Sequence, residues 1–102
     1  MAITVNEERL NWVIRYGKLE EQADDPGEKS IIEGLCLGSM VYLANAKVVE
    51  TEENAPLYRL IVGAMTLHAY DHRDQVGFVP EGVRDILNQL KLDANYPKES
   101  EA

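Results

Sequence analysis

Two histidines, one cysteine and a run of carboxylates are the side chains in this sequence whose types and spacing invite chemistry. His68 and His72 stand four apart with Asp71 between them. On a helix, that spacing puts two imidazoles on one face, where they can share a divalent metal. The zinc-peptidase form of the pattern needs Glu directly after the first His, and Ala69 occupies that position. Spacing fixes no third ligand, so the pair reads as a polar rim at the end of a helix. Cys36 lies between Leu35 and Leu37, an apolar setting that disfavours the thiolate a nucleophile needs. Glu20, Glu21, Asp24 and Asp25 lack the alternating spacing and central glycine of a calcium loop and read as a solvated stretch. Neither a phosphate-binding glycine loop ending in Lys-Ser/Thr nor a Gly-x-Ser-x-Gly elbow occurs. Trp12 reads as a packing residue. These residues make no catalytic constellation, and the expectation is a non-enzymatic protein without metal or cofactor.

The elements that carry these residues read as four helices, giving an all-α single domain. Thr4-Val5-Asn6-Glu7 fits a capping box, and Leu10, Val13, Ile14 and Gly17 follow at helical spacing. The first helix is therefore expected from about Val5 to Lys18, followed by an acidic loop. Asp25 as cap and Pro26 at the first helical position open the second helix, expected to reach Ala46. Val48-Val49 fits a short extended piece. Asn54-Ala55-Pro56 opens the third helix, which ends near Arg73 or Asp74. Pro80 opens the fourth, whose Val83, Ile86, Leu87 and Leu90 keep one apolar face. The helical domain is thus expected over 1–92, with 93–102 a mobile polar tail.

The chain has 102 residues, 45% hydrophobic and 27% charged, enough for one modest core. Ten Lys and Arg against eighteen Asp and Glu leave a net charge of −8. A chain this acidic is poorly suited to gripping DNA phosphates or an anionic membrane surface. A single cysteine excludes an intrachain disulfide and fits a reducing compartment. The N-terminal residues have neither the basic start nor the apolar run of a secretory signal. No stretch approaches the ~18 apolar residues of a membrane span.

The two middle helices differ from the outer two. Gly34 to Ala44 carries no charge, and neither does Leu60 to Tyr70 with His68 neutral. On the third helix, Leu57, Leu60, Ile61, Ala64 and Leu67 make one apolar face, and Tyr58, Val62, Met65 and Ala69 make another. A domain of this size can encircle one such helix but not two, so the surplus apolar surface is expected to meet other copies of the chain. The third helix is expected as core, with the second or its flanks in the subunit contact. Gly34, Gly38, Val62 and Met65 are candidates for that contact, the glycines because they let a neighbouring backbone approach.

Leu57 to Leu90 resembles the head-tail connector proteins of long-tailed bacteriophages, also called phage DNA-packaging proteins. The likeness lies in His68-Ala69-Tyr70-Asp71-His72-Arg73, against a family pattern of His-x-Tyr-acid-x-Arg. It continues in Val79-Pro80-Glu81-Gly82-Val83-Arg84-Asp85-Ile86-Leu87, against Val-Pro-x-Gly-Val-Arg-x-Leu-Leu. The motifs cover about a third of the chain, and the helix layout extends the likeness over most of it. Gly34, Gly38 and Asn88-Gln89 depart from the pattern. The resemblance implies an oligomeric ring below the portal that extends the DNA channel and docks the next connector or tail-completion protein. It implies a place in the virion, with assembly in the host cytoplasm, and DNA passing nearby without specific binding. It singles out His68, Tyr70, Arg73, Pro80, Gly82 and Arg84 as motif residues, and Arg73 and Arg84 are candidates for ion pairs that orient the corner between the third and fourth helices.

Two other readings compete. An acidic helical regulator or inhibitor would bind a basic partner protein. A metal-dependent enzyme would use His68, Asp71 and His72.

Overall fold

Five α-helices and one 3-10 turn form the fold, as described by a computed structural model covering residues 3–72 and 79–95. Helix α1 spans Glu7–Tyr16, α2 Glu20–Ala23, α3 Pro26–Asn45, α4 Ala55–Asp71 and α5 Arg84–Asn95, with the 3-10 turn at Glu81–Val83. No strand occurs among the described residues, and the all-α expectation holds.

Helix starts follow local capping chemistry. The α1 cap is Asn6, whose side chain accepts from the Arg9 backbone N–H at 2.7 Å. The Thr4 capping box therefore does not form, and the helix starts two residues later than expected. Asn6 reaches the third helical N–H, and Glu7 and Glu8 then sit at the positive end of the helix dipole. Asp25 caps α3 as expected, accepting from Glu28 N at 2.9 Å with Pro26 in the first turn. The stretch read as an acidic loop contains a single helical turn, α2.

Two helices end in the same motif. After α1, Leu19 N donates to Ile14 O at 2.9 Å and Lys18 N to Arg15 O at 3.2 Å. After α3, Val48 N donates to Leu43 O at 2.8 Å and Lys47 N to Ala44 O at 2.9 Å. Both are Schellman caps, which need one left-handed residue, and Lys18 (φ 56°) and Lys47 (φ 68°) supply it. Each cap buries its hydrophobic pair, Ile14 with Leu19 and Leu43 with Val48. Val48 thus belongs to the α3 cap, and Val48-Val49 forms no strand. Thr51 N donates to Asn54 Oδ1 at 2.7 Å and Asn54 N to Thr51 Oγ1 at 3.1 Å, which closes the loop before α4.

Helices α3 and α4 form an antiparallel pair at the centre. Ile32, Cys36, Ser39 and Leu43 of α3 are buried, a four-three-four spacing that keeps one stripe on the partner. From α4 the core takes Tyr58, Ile61, Val62, Met65, Thr66 and Ala69. The buried hydroxyls are satisfied within their own helices: Ser39 Oγ donates to Leu35 O at 3.0 Å and Thr66 Oγ1 to Val62 O at 2.7 Å. Helix α1 adds Leu10, Val13 and Ile14, and α5 adds Leu87 and Leu90. Helix α5 continues to Asn95, so the boundary expected at Leu92 falls inside a helix.

Candidate functional site

Of the two apolar faces of α4, the core takes the one bearing Tyr58, Val62, Met65 and Ala69, together with Ile61 from the edge of the other. Leu57 and Leu60, on the opposite face, are 38% and 36% exposed. On α3, Val41 and Tyr42 are exposed, and a Cβ added at Gly34 or Gly38 would meet nothing within 4 Å. These glycines therefore serve no close approach within the chain. Val62 and Met65, named above as candidates for contact with other subunits, belong instead to the private core at 0% and 1% exposure. The cause is their position on the side of α4 that the core covers.

The motif residues gather at the opposite end of the central pair. The Tyr70 hydroxyl donates to Glu28 Oε1 at 2.6 Å, tying the last turn of α4 to the first turn of α3. The His68 and His72 rings stack at 4.5 Å between centroids, and His72 Nδ1 lies 3.2 Å from His68 O. Among the described residues no three His, Cys, Asp or Glu side chains converge as a metal would require. Pro80 is extended and starts the 3-10 turn, where Val83 N donates to Pro80 O at 3.1 Å. Gly82 is exposed in that turn. Arg84 makes no ion pair among the described residues; it donates from Nη2 to the backbone Val79 O at 3.2 Å, bracing the entry to α5. Arg73 lies outside the described residues.

No family model, curated protein or solved structure matches this chain.

A second feature was not legible in the sequence. Asn6, Glu8, Arg9, Trp12 and Arg15 of the α1 region, Glu50 of the α3–α4 loop and Arg59 of α4 line a cleft of about 330 Å³. Arg9 lies over the Tyr58 ring at 5.5 Å, and its Nη2 pairs with Glu50 Oε1 at 2.6 Å. Its Nη1 is buried without a hydrogen-bond partner among the described residues. Arg59 lies over Trp12 at 5.6 Å, and Trp12 stacks on Tyr16 at 5.1 Å. Burial pushes the Tyr58 hydroxyl pKa above its usual value, with Arg9 opposing. The one sequence signal was compositional: three of five arginines in an acidic chain fall on α1 and α4.

Cys36 is fully buried, and burial pushes its thiol up to about 11. That setting suits packing and leaves no thiolate for chemistry near neutral pH. No helix among the described residues is long and apolar enough to cross a membrane.

Proposed function

We propose that this protein is a structural connector subunit of a tailed phage, assembling with copies of itself into a ring below the portal. The carrying observation is the apolar surface of the central helix pair that the chain leaves uncovered: Val41 and Tyr42 on α3, Leu57 and Leu60 on α4. Singly exposed apolar residues are ordinary; two neighbouring helices with uncharged stretches and apolar outward residues favour association. Identical head-to-tail contacts close into rings and would cover such a surface on every copy. The order of the His68–Arg73 and Val79–Leu87 motifs supports the phage assignment. In this reading the protein does no chemistry. Its net charge of −8 repels phosphates, so DNA passes the ring without being held.

Electron microscopy of the protein mixed with its portal tests this. The expected result is a ring of extra density at the portal's tail-side end. A portal that stays bare at saturating protein rejects the reading.

The acidic exposed stretch from Glu20 to Asp25 favours one other reading, a regulator that binds a basic protein. Salt-sensitive binding to such a protein, without rings under any condition, would select it.

A further inference from the structure

We propose that the arginine cleft between α1 and α4 is the acceptor for the acidic α2 corner of a second copy of this chain. The inference rests on the ring reading and names the polar half of its subunit contact.

The cleft gathers cationic side chains that the rest of the fold leaves unanswered. Neither Arg15 nor Arg59 makes an ion pair among the described residues, whereas Arg9 is paired with Glu50 and keeps its other terminal nitrogen buried. Guanidinium groups bind carboxylates through paired N–H donors. Arg59 keeps its guanidinium within cation–π reach of the Trp12 ring, 5.6 Å from the centroid. Arginine and tryptophan are also the residue types that concentrate binding energy at protein contacts.

The occupant's chemistry follows from charge and size. At about 330 Å³ the cleft is sized for one or two side chains. Its own Glu8 and Glu50, inside a chain of net charge −8, disfavour an extended polyanion. A single carboxylate on a protein surface fits that volume and brings one charge to the arginines rather than a run of them. The chain itself carries the complementary patch: Glu20, Glu21 and Asp24 are exposed on and just after α2, and none is in an ion pair among the described residues. Two different complementary patches on one molecule define a head-to-tail contact, the kind that closes into a ring.

Charge exchange on the full-length protein tests the contact, read by sedimentation velocity with circular dichroism as the check on folding. One variant carries Arg15→Glu and Arg59→Glu, the other Glu20→Lys and Glu21→Lys. Wild-type association is expected to weaken by about tenfold or more as salt rises from about 0.05 M to about 0.5 M, where screening is strong. Each variant alone is expected to stay monomeric, and an equimolar mixture to associate again, because each variant's cleft then opposes the other's α2. If Arg59→Glu disturbs folding, Arg15→Glu alone takes its place. Association of either variant at the wild-type level overturns the inference, as does a mixture that stays monomeric or a wild type that never associates. The ring reading falls separately, on a portal that stays bare.

Discussion

Trp12 presses against Gly63 so closely that a Cβ at position 63 would lie 2.8 Å from the Trp12 ring and 2.9 Å from Tyr16. This is where α1 crosses α4, and the missing side chain sets how near the two helices come. The same stacked rings support Arg59 at the cleft, so the crossing also shapes the arginine cluster.

Substitution at the helix glycines should therefore split by position. Gly63→Leu forces the aromatic pair away and is expected to cost about 1–3 kcal/mol by overpacking. Gly34→Ala and Gly38→Ala meet open space and gain helix propensity, so each is expected to stabilise the isolated chain by roughly 0.5–1 kcal/mol. Urea denaturation of the three variants measures both signs.

The two Schellman caps place lysine where glycine is at ease. A left-handed conformation costs an L-residue roughly 1–2 kcal/mol, while glycine loses more freedom on folding. Lys18→Gly and Lys47→Gly are each expected to gain about 0.5 kcal/mol net, seen as a rise of a few degrees in thermal midpoint. A fall in midpoint would mean the lysine side chains hold the caps by some other contact.

Alkaline pH should weaken the fold through Cys36. The thiol has an ordinary value of 9.0 and stands at about 11 in the fold, so the unfolded chain releases its proton first. Stability is whole below about pH 9, declines between 9 and 11, and above that has lost about 2–3 kcal/mol. The Tyr58 hydroxyl, also raised by burial, acts in the same direction at higher pH. Denaturant midpoints at pH 8 and pH 10.5 should differ less in Cys36→Ala than in the wild type, although Cys36→Ala will itself be less stable at pH 8.

Folding and assembly should separate along α4. Met65→Asp buries a charge in the core and is expected to unfold the chain, whereas Leu60→Asp falls on the outer face and should leave circular dichroism unchanged while blocking association. A Leu60→Asp variant that associates as the wild type does would remove α4 from the subunit contact.

The four longer helices, their order and the starts of α3 and α4 are legible in the residues because the forces that set them are local. Asp25 with Pro26 opens α3 as expected, since the cap and the N–H it satisfies lie three residues apart. At α1, Thr4 and Asn6 both qualify as caps, and pattern alone does not choose between them. The Schellman ends escape notice because lysine is not the residue that advertises a left-handed turn.

What the sequence by itself determined is an all-α chain with two capped amphipathic helices around two that are apolar on more than one side. Only the tertiary structure decided which side of α4 faces inward, because a helix greasy all round gives periodicity nothing to select. It also decided that Arg9, Arg15 and Arg59 meet Glu50 and Trp12 in one cleft. Those residues come from three elements, with Arg9 and Glu50 forty-one positions apart. Each charge reads alone as a solvated surface group, and their meeting follows from how closely α1 can lie on the bare backbone at Gly63.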